Sequence, residues 1–231
     1  MTEKLTHYQR IQESIKFISL KAFHANNDFR NHPQFSDICI NFIHMNHSVA
    51  RATIPMMEEV IRCAEALPND PLSAPLIAYM KQHIVEEKDH DEWYVRDLGI
   101  LGMSREEVFS RIPSPNIAAM IGSQYYWIKH HHPIAFLGYM GSLETYPLKE
   151  EHVNGMIKDS GMPAAGFDTV MLHAKIDIHH SKDIINLINT LPLTEEHMRI
   201  IEMSAFQTFR YIALMMEDIC KSAPKPLATA F

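Results

Sequence analysis

Nearly every long segment of the 231-residue chain repeats its apolar residues with a 3.6-residue period, which confines the fold to packed helices. The first such segment runs from about Lys4 to Asn26, with Tyr8, Ile11, Ile15, Ile18 and Phe23 near one stripe. A turn at Asn31-His32-Pro33 precedes a second, Phe35 to Leu67, where Pro55 is expected to kink the helix. After Asn69-Asp70-Pro71 a third runs to Leu101 and stops at Gly102, and Ser104-Arg105-Glu106-Glu107 is a capping box for a short helix. A fifth spans Pro115 to Tyr146 with a bend at Pro133, a sixth Phe167 to Leu191, and a last begins at Thr194 as N-cap and reaches Ser222. No alternating strand pattern competes. The expectation is an all-α bundle of seven or eight helices, one domain over residues 1–222, with a flexible tail over 223–231.

With 46% hydrophobic and 21% charged residues, the chain has a globular composition. A net charge of −7 gives no basic surplus for a nucleic-acid partner. The longest stretches free of Lys, Arg, Asp and Glu lie between Arg111 and Lys129 and between Lys129 and Glu144; both contain proline and several polar residues, so no membrane partner is expected. Cys39, Cys63 and Cys220 are isolated and form no C-x-x-C pair. The opening Met1-Thr2-Glu3-Lys4-Leu5 has no apolar run of the signal type, so the expected location is cytoplasmic.

Fifteen histidines are the one number out of line, and their spacing matters more than their count. His83, Glu87 and His90 form H-x3-E-x2-H, and His173, Asp177 and His180 form H-x3-D-x2-H. On a continuous helix, offsets of 0, 4 and 7 residues fall on one face, so each triplet can converge on a metal. Composition predicts about 0.1 such matches in a chain of this make-up. A two-metal centre also needs carboxylates to bridge ions and offset charge. Glu87 and Asp177 supply two, and Glu144 is the only acidic residue between Glu107 and Glu150, next to an apolar run where an unpaired charge is costly. Imidazole and carboxylate without cysteine suit iron or manganese.

These residues resemble the heme-oxygenase-like di-iron oxidase and oxygenase superfamily over the helical core from about Phe35 to Leu214. The most specific feature is His173-x3-Asp177-x2-His180, whose spacing matches a late metal-binding helix of that family; Asp91-Glu92-Trp93, Asp97-Leu98 and Gly102 look like the continuation of its first metal helix. The resemblance implies a seven-helix fold, two Fe2+ ions (manganese as the alternative) and O2 as co-substrate. His90 and His173 would be terminal ligands, His180 a ligand on the second iron, and Glu87, Glu144 and Asp177 terminal or bridging carboxylates with the catalytic role. Many members have Glu where this chain has His83, so His83 is either a ligand or a residue that holds one, with Glu86 as the alternative carboxylate.

The activity implied is O2-dependent oxidation of an amino acid or amino-acid-derived carboxylate in specialised (natural product) metabolism: oxidative cleavage, N-oxygenation, or nitrile formation from a tryptophan-like substrate. The alternatives are a fatty-acid decarboxylase on the same fold and a non-catalytic metal-binding helical protein. Expected partners are the small-molecule substrate, with an external electron donor and a homodimer both compatible. Thiaminase-type enzymes share the fold but use a cysteine on the central helix, and no cysteine lies between Tyr125 and Tyr146. Arg51 is the candidate anchor for a substrate carboxylate, and Tyr125 and Phe136 are candidates to border the pocket. His130-His131-His132 reads as an exposed bend, because consecutive helical residues point 100° apart.

Overall fold

The computed structural model describes residues 5–224, less the side chains of 176–179. Residues 225–231, most of the segment expected to be a flexible tail, lie outside the described residues, as does the side chain of Asp177. The described chain is all-α: α1 His7–Arg30, α2 Phe35–Glu65, α3 Ser73–Glu86, α4 His90–Ile100, α5 Arg105–Ser110, α6 Pro115–His130, α7 Phe136–Glu144, α8 Glu150–Ser160, α9 Asp168–Thr190 and α10 Glu195–Lys221. Short 3-10 turns at Pro133–Ala135 and Ala164–Phe167 lead into α7 and α9.

These ten segments are the expected bundle with two helices interrupted and α8 added. Capping boxes form at Ser104/Glu107 and, with His197 as the third residue, at Thr194. The α2 helix continues through Pro55. The bend at Pro133 becomes a true break, held by His132: its Nδ1 accepts from Ile134 N at 3.0 Å and its Nε2 bonds Asp70 Oδ2 at 2.8 Å. That is a structural use of the histidine tract; His130 and His131 are exposed. The larger departure is in the third expected helix, which is not continuous. It stops after Glu86 and restarts at His90, and Asp89 between them takes φ 66°, a left-handed conformation that Asp tolerates better than most residues.

Helix α7 is the buried centre of the bundle. Leu143 apart, all of its residues are buried, and it packs between α9 and α10, while α1 lies along α10. Gly138 makes this possible. A Cβ there would lie 2.2 Å from Ile201 O and 2.8 Å from Ala205 N, so α7 crosses α10 backbone to backbone. On the far side α2 packs against α3, α4 and α6. There His47 is 1% exposed with neither ring nitrogen hydrogen-bonded, edge-on to Phe109 at 5.4 Å.

Gly138→Ala should lower unfolding stability by about 2–3 kcal/mol, measured by urea denaturation, because neither contacting backbone atom can move aside cheaply. A second expectation concerns acid. Burial chiefly, then the neighbouring charges of His44 and Arg51, hold the His47 pKa down to about 4 against the opposing pull of Asp91 and Glu92. The unfolded chain therefore binds a proton that the folded one refuses, and this contribution is lost as pH falls from about 6.5 towards about 4. His47→Phe should remove about 2–3 kcal/mol of the acid-side loss, read as the difference between the two stability–pH curves.

Candidate metal centre

The break after Glu86 sets the geometry of the site. With the helix interrupted at 87–89, Glu86 and Glu87 aim at two different neighbours, and His90 enters from the start of α4. Two groups result, each with ligand atoms within 4.8 Å of one another: Glu87, His90 and His173, and beside it His83, Glu86 and His180. In the first, His90 Nδ1 is 3.0 Å from Glu87 Oε2, and the rings of His90 and His173 meet edge to face at 4.9 Å. In the second, the rings of His83 and His180 meet at 4.9 Å, and His180 Nε2 is 3.6 Å from Glu86 Oε2.

His83 and Glu144 join the two groups. His83 Nε2 lies 2.9 Å from Glu144 Oε1 and 3.7 Å from Glu87 Oε1, and its Nδ1 lies 3.2 Å from Glu86 Oε2. Glu144 sits at the end of α7, 8% exposed, with Tyr79 Oη donating to its Oε2 at 3.4 Å. Ser181 Oγ donates to the Glu144 backbone carbonyl and ties α7 to α9. Thus His83, Glu87, His90, Glu144, His173 and His180 are brought together from α3, α4, α7 and α9 and the break between α3 and α4, and Glu86 belongs with them. The helix-face argument for the first triplet needs correcting. His90 meets Glu87 through the break in the helix.

The protonation pattern follows from these contacts. Burial works against charge on Glu87, but the approach of His90 and the charges of His90, His83 and His173 outweigh it and hold the carboxyl below its usual range. Burial works against a charged His83 too; the hydrogen bond and charge of Glu144, then the charges of Glu87 and Glu86, overcome it and raise the ring. His173 goes the other way. Burial lowers it, and its Nδ1 donates to Thr169 O at 2.8 Å, which fixes the tautomer and leaves Nε2 with a lone pair.

Two observations test whether these residues fit a metal. His90 is 2% exposed, and its Nδ1 stands 3.0 Å from Glu87 Oε2 outside hydrogen-bonding geometry, so both atoms aim at common space. The donor set is imidazole nitrogen and carboxylate oxygen, with none of the three cysteines in it; Cys39 is buried and its thiol pushed up to about 12. Both agree with iron or manganese.

The start of α9 is held by a residue that spacing alone did not single out. Asp97 on α4 is fully buried; its Oδ2 accepts from Thr169 N at 2.7 Å, acting as an N-cap supplied by another helix, and its Oδ1 accepts from Arg96 at 2.8 Å. Thr169 in turn accepts from His173.

A cavity of about 460 Å³ opens beside the cluster. Its walls come from one stripe of α2 (Phe42, Met45, Asn46, Val49, Ala50, Thr53) and from α1, α7, α9 and α10; His83, Glu87, Glu144, His173 and His180 form its floor. It reaches the surface beside Phe23 on α1, which is 64% exposed. The three residues expected to bind substrate are not among the lining residues. Arg51 follows Ala50 by 100° on α2, so it points outward and lies 5.1 Å from the Phe109 ring. Tyr125 faces Glu59 and Lys129 on the outer side of α6, and Phe136 is fully buried behind the wall, stacked on Tyr139 at 5.3 Å.

The profile of a family described as "iron-containing redox enzyme" matches residues 42–210. No curated protein matches the chain in sequence. Among solved structures, the chain is similar to a domain of unknown function with a heme oxygenase-like fold from Shewanella denitrificans (TM-score 0.74, 16% identity, covering 93% of this chain and 90% of that one). It is also similar to a TenA homolog from Pseudomonas syringae pv. tomato (TM-score 0.75, 11% identity, 93% of each chain) and to a TenA homologue from P. horikoshii (TM-score 0.64, 10% identity, 95% of this chain and all of that one). At these identities the likeness establishes the fold.

Asp97→Ala should lower stability by about 2–3 kcal/mol, since it strands the Thr169 N–H and removes a charged hydrogen bond. It should also weaken metal binding by roughly 10- to 100-fold through His173. Asp97→Asn, which keeps an acceptor for Thr169, should recover part of both, read by calorimetry and metal titration.

Proposed function

Because the chain belongs to the family of iron-containing redox enzymes and has the heme-oxygenase-like fold, we propose that it is a non-heme di-iron enzyme that uses O2 to oxidise a small organic molecule. The observation that carries this reading is the pairing of two ligand groups, Glu87/His90/His173 and His83/Glu86/His180, with Glu144 between them at the floor of the cavity. Glu87, His90 and His173 would hold one iron. His180, Glu86 or Glu144, and His83 would hold the other, with Asp177 placed on α9 to serve either by resemblance to the family. Iron, if held by these residues, would supply the electrons for O2-dependent oxidation.

The chain's own residues set the conditions for that chemistry. Glu87 is held ionised and His173 neutral, the states in which a carboxylate and an imidazole are ligands. Glu86, Glu87 and Glu144 supply negative charge against two divalent ions, while His83 presents both ring nitrogens to carboxylates and either binds metal or keeps Glu144 in place. Tyr94 stacks on His173 at 5.8 Å and fixes the plane of that ring. The apolar wall from α2 and α10 positions the substrate and keeps bulk water from the reacting centre. The cysteine chemistry of thiaminase-type enzymes has no support here, because no cysteine lines the cavity among the described residues. An enclosing apolar wall likewise favours an enzyme over a metal store.

An amino-acid substrate was expected on resemblance, with Arg51 as its anchor. With Arg51 facing outward, the reading is kept at oxidation of a small molecule in specialised metabolism. An external electron donor is compatible with it, and a homodimer also. Among the described residues no helix is long and apolar enough to cross a membrane.

The test is O2 consumption by Fe(II)-loaded protein across a panel of small organic acids, alcohols and ketones. At least one compound should accelerate uptake, and His173→Ala should reduce that rate by more than about 100-fold, since a terminal ligand is lost. Unchanged turnover in His173→Ala would refute the site.

A further inference from the structure

Five of the residues gathered at the cluster, His83, Glu87, Glu144, His173 and His180, line the cavity, and His90 does not. It is nevertheless only 2% exposed, and the ring that lies against it belongs to Trp93. The α4 helix restarts at His90 after the break, and Trp93 follows three residues later on the same face of its first turn. The two ring centroids are 4.3 Å apart, with the planes tilted by 36°. Trp93 does not line the cavity either. It is half-buried, and its neighbours on that helix face, Asp89 one turn before and Arg96 one turn after, are exposed. The indole therefore stands between His90 and solvent, on a side of the cluster away from the cavity.

Other rings that touch histidines of the cluster do not offer the same path. Tyr94 stacks on His173 at 5.8 Å but is buried at 5% exposure. Tyr79 stacks on His83 at 5.6 Å, and its hydroxyl donates to Glu144 Oε2 at 3.4 Å. A phenol that loses an electron loses its proton too, and here the proton would pass to a carboxylate of the centre itself. An indole gives up an electron without that transfer. The second tryptophan, Trp127 on α6, donates through Nε1 to Gln207 and packs on Tyr126 and His131, none of which belongs to the cluster.

Resting on the reading of the cluster as a di-iron centre, we propose that Trp93 carries electrons from a one-electron reductant at the protein surface, through His90, to that centre. One electron leaves the indole for the centre once O2 has oxidised it, which makes the ring a radical cation. One electron from the reductant then returns the ring to its starting state. The reductant is oxidised by one electron, the centre is reduced by one, and no bond in Trp93 forms or breaks. Substrate reaches the centre through the cavity and electrons reach it through α4, so the reductant stays out of the substrate chamber.

The experiment loads the full chain with Fe(II) without air, counts the bound iron, mixes with O2, freezes rapidly and records the electron paramagnetic resonance spectrum. The parent should give a tryptophan radical, narrowed in protein made with ring-deuterated tryptophan. Trp93→Phe, which keeps an aromatic ring on His90, should hold the same iron and lose the signal. Trp127→Phe, which leaves Trp93 as the only tryptophan of the chain, should retain it. With ascorbate present at mixing, the ascorbyl radical should replace the tryptophan signal in the parent and be lost in Trp93→Phe. The proposal is overturned by iron-loaded parent that consumes O2 without a tryptophan radical, by a radical absent from Trp127→Phe or persisting in Trp93→Phe, or by equal ascorbyl signals in parent and Trp93→Phe. Those results leave the di-iron reading standing, whereas parent protein that takes up no iron overturns that reading and this proposal together.

Discussion

Six ionisable side chains, His83, Glu87, His90, Glu144, His173 and His180, are gathered at one point inside an otherwise apolar bundle with Glu86 at their exposed edge, and the surrounding structure is arranged to hold them there. Each ion removed from water costs several kcal/mol unless opposite charge and hydrogen bonds offset it. Three carboxylates in one place repel each other as well. Within the protein His83 is the group that answers this, facing Glu144, Glu87 and Glu86 with its two ring nitrogens. Two divalent cations would answer it more completely, and that electrostatic demand ties the cluster to the iron-containing family to which the chain belongs.

The backbone accepts local cost to build this arrangement. Asp89 takes a left-handed conformation so that Glu86, Glu87 and His90 can address two neighbouring positions. Asp97 caps α9 from a different helix, fixing the register of His173. Gly138 lets α7 approach α10 closely enough to carry Tyr139 and Glu144 through the centre of the molecule. Site and fold therefore share the same few contacts. A change at Asp97 or Gly138 is felt as stability and as the geometry of the His/Glu cluster together.

The clustering of these residues was legible because a metal would need particular residue types at fixed spacing, and His83, Glu87, His90, His173 and His180 satisfy that spacing in sequence. Glu144 was legible as an isolated acid in an apolar segment. The break at Asp89 was not, since nothing in Glu87-Lys88-Asp89 carries the glycine or proline that usually marks one. The cavity was harder still. Its walls come from helices distant in sequence, so whether Arg51 or Ala50 faces inward depends on the rotation of α2 against α1 and α10.

The central claim is that the two ligand groups form one centre for two irons. The most direct measurement is anaerobic titration of the full chain with 57Fe(II), with bound iron counted and its Mössbauer spectrum recorded. The account predicts two irons per chain in nitrogen and oxygen coordination, falling when His173 or Glu87 is replaced. Fewer than one iron per chain, or iron uptake that survives loss of both residues, would contradict it.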